Sequence, residues 1–438
     1  MSDVGTIHPM KANNDLREST QRWWLMVLLV TGMIICYAHR GALGVAAPFM
    51  IKELNLSPAV MGVLLSAFFW LYSFMQMPAG WLVDRFGVKK AYAFGFVLWS
   101  LASACTGFAG GLIALIILQM LLGVGQAVAF PASARAVANW FQNKERGTVT
   151  ATYLTGVRLG QALVGALGAY FLAVYSWKIF VLVISLVPMI WLIPWYRFLG
   201  KWDLSSPSPN ALGEIPAPAA IKKSASFVES LALLKDRTVF GIFLGFFAYD
   251  YVWFVYTRWL AGYLVIERKL SKPELAFWTS VPFLLMSVII LVSGAASDFL
   301  IRRGHSEIRV RKTFIVAGLL VGCLMVPAGI VADKTMALYL LTISLCGLGM
   351  CSPNTWTLTQ AVCSRNLVGT VSGIQNFGGN LGGIVAPALT GFIAHKTQSF
   401  SLAFSICGAI LIIGILSYIF LIGPQATTKN LESAPAAG

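Results

Sequence analysis

Five ionisable side chains interrupt stretches of the 438-residue sequence that are otherwise apolar, namely His39, Arg40, Arg158, Asp250 and Arg258. A charged group inside a membrane costs roughly a few kcal/mol or more, so such residues indicate a partner or a ligand. The three arginines outnumber the one aspartate, and His39 adds a further charge when protonated. A water-filled cavity with this balance favours an anion.

The side-chain types indicate two kinds of chemistry. The planar guanidinium of Arg40 suits a carboxylate, with a structural ion pair between helices as the alternative. Arg158 either faces the same cavity as a second anion contact or extends toward the lipid headgroups. Asp250 and His39 are the candidate proton carriers. Asp250 is equally compatible with a permanent salt bridge, either to Arg258 or to an arginine across the interface. Arg258 itself fits the outer mouth or the headgroup region.

Neutral polar and aromatic side chains are the further candidates for substrate recognition. Amides with several donors suit sugar hydroxyls, but amides and small residues also serve packing between helices, and both interpretations stay open. Two of the asparagines are spaced i and i+4 and therefore share one helix face. The candidates are Tyr37, Tyr72, Gln76, Gln126, Gln161, Trp356, Asn376 and Asn380.

The elements that position these residues are predicted to be membrane helices. Hydrophobic residues make up 58% of the chain and charged residues 11%. A soluble protein cannot bury that much apolar surface, so the composition predicts an all-α protein with several membrane spans. About twelve apolar stretches have the length that a spanning helix needs. No spacing of His, Cys and carboxylates suggests a metal site, and no cofactor or catalytic constellation is expected.

Charge and composition divide the chain into five parts. These are a cytoplasmic segment 1–24, a six-helix bundle 25–200, a cytoplasmic loop 201–237, a second bundle 238–422 and a cytoplasmic tail 423–438. Lys and Arg cluster in the loops after even-numbered helices, which places both termini in the cytoplasm. The net charge of +15 is therefore attributed to topology and anionic lipid rather than to nucleic acid.

Two loops in equivalent positions repeat one pattern. GWLVDRFGVKK (80–90) follows predicted helix 2, and GAASDFLIRRG (294–304) follows predicted helix 8. Both have a glycine, three residues, an aspartate and then basic residues. The repeat predicts two parallel halves related by an axis along the membrane normal.

The first of these loops resembles the signature loop of the major facilitator superfamily. The resemblance implies twelve helices in two pseudo-symmetric six-helix bundles, with the loop as a cytoplasmic latch between them. The residues that carry it are Gly80, Asp84, Arg85, Gly87, Lys89 and Lys90.

Within that superfamily the chain resembles the anion:cation symporters, such as bacterial galactonate, glucarate and hexuronate carriers, which are related to sialin and the vesicular glutamate transporters. The resemblance rests on CYAHRGALGVA, FPASARAVANWFQNKERG, TRWLAGYLV and GTVSGIQNFGGNLGGIVAPALTGFI. It implies a monomeric carrier in a cell membrane, with the bacterial inner membrane expected. The carrier would move an organic anion, most simply a sugar acid, with protons by alternating access, and Arg40, Tyr37 and Tyr72 would line its cavity.

The chain departs from this family at three positions. His39 stands where the carriers have an acid, and Gln119 and Gln126 stand at two usually charged positions of predicted helix 4. Proton symport through His39 or Asp250 is the expectation, and uniport or anion exchange is the alternative. A membrane sensor that does not transport is the alternative from another functional class.

Overall fold

The computed structural model describes residues 9–141, 143–199, 233–363 and 368–423. Most of the predicted loop 201–237, the first eight residues and the tail from residue 424 lie outside the described residues. All regular secondary structure in the described part of the chain is helical. Twelve of its helices are long and apolar enough to cross a membrane, which confirms the predicted all-α class.

The membrane helices are numbered α1 to α12 and correspond to predicted helices 1 to 12. Several consist of two or three consecutive helical segments that together form one membrane helix. The helices are α1 Pro9–Glu53, α2 Pro58–Phe86, α3 Val88–Cys105, α4 Leu112–Gln126 with Ala129–Trp140, α5 Asn143–Val174, α6 Trp177–Leu186 with Val187–Trp191 and Leu192–Leu199, α7 Arg237–Ile266, α8 Lys272–Arg302, α9 Glu307–Gly322 with Met325–Ile330, α10 Lys334–Val362, α11 Val368–Thr397 and α12 Ser401–Leu416 with Ser417–Leu421.

Side chains that cap the free backbone groups fix several helix ends. The Ser57 hydroxyl accepts a hydrogen bond from the Val60 amide at the start of α2. Asp236 accepts from two amides at the start of α7, and Asp333 accepts from the Met336 amide at the start of α10. Each cap satisfies donors that have no partner inside the helix. The short connections that result keep consecutive helices adjacent.

The twelve helices pack as two groups. In the first half α1 packs on α5, and α2 and α3 pack on α4; in the second, α7 packs on α11 and α10 packs on α8 and α9. In the described residues, the most extensive contacts between the halves are made by three helix pairs: α1 with α7, α2 with α11, and α5 with α8. The candidate functional site lies along these three seams.

Glycines allow close approach between the halves at each seam. A β-carbon at Gly62 in α2 would lie 2.5 Å from the Pro387 carbonyl oxygen, and one at Gly165 in α5 would lie 2.5 Å from the Thr279 carbonyl oxygen. One at Gly44 in α1 would lie 2.8 Å from the Thr257 carbonyl oxygen. These positions lie between the middle of the helices and the end that carries the α1–α2 and α7–α8 connections. We call this end the closed side.

Replacing Gly62 with valine is expected to separate α2 from α11. Forcing extra methyl groups into a packed contact costs about 1–3 kcal/mol, so we expect amide exchange about 5- to 150-fold faster in residues 58–70 and 385–397. Hydrogen–deuterium exchange with mass spectrometry measures this. Gly373→Ala in α11 is the control, because nothing lies within 4 Å of a β-carbon there. Unchanged exchange in Gly62→Val would contradict the tight seam.

Candidate functional site

Arg40 lies near the middle of the membrane-spanning part of α1, Arg22–Glu53, and is buried, with 5% of its surface exposed. Its Nε donates to Oε1 of Gln126 in α4 over 3.0 Å, and its Nη1 donates to the Tyr37 hydroxyl over 3.2 Å. Gln126 is itself fixed, because its Nε2 donates to the Cys36 carbonyl over 2.8 Å. The Tyr72 hydroxyl also approaches the guanidinium, but the buried Nη2 atom forms no hydrogen bond. Arg40 is therefore held in place with one donor group free.

Aromatic rings surround the Arg40 guanidinium. Its central carbon lies 4.4 Å from the Tyr37 ring centroid and 4.6 Å from those of Phe68 and Tyr72 in α2. The faces of such rings attract a cation and stabilise it partly without removing its charge. This aromatic cradle brings together the predicted residues Tyr37, Arg40, Tyr72 and Gln126.

Arg158 extends from α5 into the second half of the molecule, rather than along α5 toward the headgroups. Its guanidinium stacks 3.8 Å from the Trp253 ring centroid in α7. Its Nη2 donates to the Tyr249 hydroxyl over 3.1 Å and to the Ser352 hydroxyl of α10 over 3.3 Å. Its Nη1 is buried without a partner. Arg158 therefore joins the two halves and, like Arg40, keeps one donor free.

Asp250 is partly exposed near the middle of α7 and lies against Gly379 of α11. Within the part of the chain that the structure describes, its carboxylate has no salt bridge and no hydrogen bond to a side chain, so the salt bridge to Arg258 is not formed. Arg158 and Arg40 nevertheless both act on it electrostatically. Asp250 is thus an unpaired acid close to both arginines.

Arg258 is buried in α7 with 2% of its surface exposed. Its Nη1 donates to the Arg40 main-chain carbonyl over 2.5 Å, and its guanidinium lies 5.3 Å from the Phe69 ring centroid and 5.5 Å from that of Phe68. The residue is therefore neither at an outer mouth nor in the headgroup region. It lies in the seam between α1 and α7.

His39 points away from this cluster. Its Nδ1 donates to the Ile35 carbonyl over 2.7 Å, and its ring approaches the backbone of Ser185 in α6. Adjacent helical residues project about 100° apart, so His39 and Arg40 face different neighbours. The Nε2 atom of His39 is buried without a partner. His39 therefore lies inside the first half.

The other predicted recognition residues lie around the seams. The side-chain oxygen of Gln161 would be 2.6 Å from a β-carbon at Gly41, which places Gln161 between α5 and α1. Trp356 in α10 meets Phe246 edge to face at 5.2 Å. The Gln76 Nε2 is buried without a partner, Asn380 is buried and Asn376 is partly exposed. No contact in the described residues assigns Asn376 a role.

The signature loop 80–90 lies at the opposite end from the closed side. Gly87 has a φ of 81°, a conformation that favours glycine, and it ends α2 and starts α3. Arg85 stacks on Trp81 and Phe86 of its own helix, and Lys89 lies 5.1 Å from the Tyr196 ring centroid of α6. The side chain of Asp84 lies outside the described residues, and Gly80 and Lys90 show no contact between the halves. The latch remains a prediction.

Sequence reasoning missed four residues of the site or gave them too little weight. Phe68 completes the cradle of Arg40, and its place one turn before Tyr72 is the signal that was available. Tyr249, Trp253 and Ser352 position Arg158. Nothing in the sequence alone aligns them with α5. Among the described residues, no group of three or more His, Cys, Asp or Glu side chains is arranged to hold a metal.

Comparisons with known proteins agree with this architecture. The D-galactonate transporter of Escherichia coli O6:H1 is 33% identical over 421 residues, covering 94% of this chain and 97% of the relative. The hexuronate transporter of Bacillus subtilis is 30% identical, with 91% and 94% covered. The probable galactarate/D-glucarate transporter of Escherichia coli K12 is also 30% identical, with 92% and 95% covered.

A solved structure shares the fold. It is a bacterial homologue of the human lysosomal transporter Spinster, which matches with a TM-score of 0.71 at 17% identity and covers 92% of this chain and 95% of that chain. Residues 29–387 also match the family described as Major Facilitator Superfamily. The chain therefore belongs to the Major Facilitator Superfamily, and it is a multi-pass membrane transporter rather than an enzyme.

Proposed function

We propose that this transporter carries a small organic anion, a sugar acid or a related carboxylate. The observation that carries the proposal is that Arg40 and Arg158 each keep one buried guanidinium nitrogen without a partner. A buried donor left unpaired costs about 1–3 kcal/mol, and more when it is charged. A carboxylate supplies both the missing acceptor and the missing negative charge.

The surroundings of the arginines suit a hydroxylated carboxylate. Hydroxyl groups of Tyr249 and Ser352 lie beside Arg158 and can exchange hydrogen bonds with sugar hydroxyls. The partly exposed Trp356 offers an aromatic ring, and the amide of Asn380 adds donors and an acceptor. The relatives named for galactonate, hexuronate and galactarate/glucarate support this class of substrate.

Transport would proceed by alternating access. The halves meet at the glycine seams of the closed side, and loop charge predicts that this side faces away from the cytoplasm. Both termini would then lie on the opposite, cytoplasmic side. The bacterial relatives favour the inner membrane. Separation of α1 from α7, α2 from α11 and α5 from α8 would expose the site to the other side.

We further propose proton symport through Asp250 rather than His39. Asp250 has no salt bridge in the described residues, and it interacts electrostatically with both Arg40 and Arg158. His39 instead faces α6. Protonation of Asp250 removes a negative charge that acts on both arginines and so increases their affinity for an anion. By linkage, a bound anion equally favours the proton, so both ligands load and leave together.

Transport by Asp250→Asn in proteoliposomes tests the coupling. With an inward proton gradient, we expect the unmodified protein to accumulate D-galactonate and an uncoupler to abolish the accumulation. Asp250→Asn is expected to lose gradient-driven accumulation but to keep exchange of labelled for unlabelled galactonate, because the arginines remain.

His39→Gln is the matched control and should accumulate galactonate as the unmodified protein does. Accumulation by Asp250→Asn, or its loss in His39→Gln, would contradict the assignment of the proton site. Uptake by the unmodified protein that ignores the gradient would instead indicate uniport or anion exchange. Galactonate binding without any flux would indicate a sensor.

Lysine in place of Arg40 or Arg158 is expected to weaken anion binding. The charge remains, but the two-pronged donor geometry is lost. A hydrogen bond between charged groups contributes about 1.5–3 kcal/mol, so we expect a roughly 10- to 100-fold higher Kd for the preferred sugar acid. Isothermal titration calorimetry with D-galactonate, a hexuronate and D-glucarate measures it. Arg268→Lys, far from the site, should bind normally, and normal binding by both site variants would refute the proposal.

A further inference from the structure

Arg258 connects the two halves at the anion site. It belongs to α7 of the second half, yet its Nη1 donates to the main-chain carbonyl of Arg40 in α1 of the first half. The neighbouring backbone is equally close, because a β-carbon at Gly44 would lie 2.8 Å from the Thr257 carbonyl oxygen and 3.2 Å from the Arg258 α-carbon. The contact therefore requires the closed side to be closed.

Closure also brings two cations together. The guanidiniums of Arg40 and Arg258 lie 4.6 Å and 5.5 Å from the centroid of the same ring, that of Phe68. They repel each other electrostatically. No carboxylate forms a salt bridge with either guanidinium in the described parts of the chain. Neither guanidinium therefore has a directly paired carboxylate, and the two lie in a region with little water, where repulsion is stronger than at a surface.

Both guanidiniums keep one free donor. The Nη2 atoms of Arg40 and Arg258 are buried and have no hydrogen-bond partner. Arg258 has only 2% of its surface exposed, so its free donor has no access to bulk water. An acceptor that bears negative charge would satisfy both atoms and offset the repulsion.

We propose that Arg258 is an additional anion-binding residue that acts only when the closed side is closed, so that a bound anion favours this closure. The proposal rests on the proposed function, because it assumes an anion at Arg40. With the halves apart, the anion meets Arg40 and Arg158 alone; with the halves together, it also meets Arg258. A ligand shifts a conformational equilibrium by its difference in affinity for the two states.

Distance measurements with and without anion test the proposal. Spin labels at Lys52→Cys and Ile266→Cys report the separation of α1 from α7, because both positions are exposed helix ends on the closed side. The background lacks Cys105, Cys323 and Cys346, the cysteines that are not fully buried. Double electron–electron resonance gives the fraction of molecules with the short distance, with and without saturating D-galactonate.

In the parent protein, galactonate is expected to increase the ratio of closed to open molecules about tenfold, which corresponds to about 1.4 kcal/mol. Arg258→Met removes the charge while keeping an unbranched apolar side chain. In Arg258→Met, galactonate should change the ratio of closed to open molecules less than twofold, whatever that ratio is without ligand. Arg258→Lys keeps the charge and should retain most of the galactonate response. Arg268→Met is the control: it removes a charge close to α7 but outside the seam, and it should retain the full response.

The outcomes separate the two proposals. A full galactonate response in Arg258→Met, measured at saturation, would overturn the role of Arg258 while leaving the anion site intact. If neither galactonate, a hexuronate nor D-glucarate binds the parent protein by calorimetry, the proposed function itself fails and the role of Arg258 falls with it. If Arg258→Met is not recovered folded, the same comparison with Arg258→Gln decides the question.

Discussion

Three buried guanidiniums that form no salt bridge with a carboxylate of the described residues are the constraint on which the rest of the site depends. Arg40, Arg158 and Arg258 are held by ring faces, hydroxyl groups, an amide and a main-chain carbonyl, none of which removes a positive charge. Such groups stabilise a cation in place but leave its field intact. The space between the halves therefore attracts negative charge, and in the proposed mechanism the protonation of Asp250 adjusts the strength of that attraction.

The packing of the halves makes this arrangement possible. Arg158 reaches Tyr249 and Ser352, and Arg258 reaches Arg40, only because glycines bring α5 to α8 and α1 to α7 at backbone distance. Bulkier residues in these seams would move the helices apart, and the arginines would lose their partners across the interface. The candidate site therefore depends on the contact between the halves. This dependence lets a bound ligand change the equilibrium between the conformations of a carrier.

Hydropathy, loop charge and the repeated loop predicted the class of fold, because spanning a bilayer constrains length and composition strongly. The site was predictable only in part. Two cradle residues were identified by family resemblance. Tyr37 lies on the same face of α1 as Arg40, and Tyr72 lies on α2 opposite Arg40. A salt bridge between Asp250 and Arg258 was open because both lie on one helix. It does not form because Asp250 lies against Gly379 of α11, whereas Arg258 donates to the Arg40 carbonyl of α1. His39 and Arg40 are adjacent in sequence, and this adjacency did not indicate that their side chains face different helices.

The glycine seams determine what happens when the halves part. Their contacts are formed by main-chain atoms, so separation exposes carbonyl oxygens of Thr257, Thr279 and Pro387 rather than large side chains. The helical carbonyl oxygens of Thr257 and Thr279 can each accept a second hydrogen bond from water, so a gap lined with them becomes wet as it opens. Opening the closed side is thus an uptake of water along the seam, and its equilibrium responds to the osmotic pressure of the medium as well as to ligands.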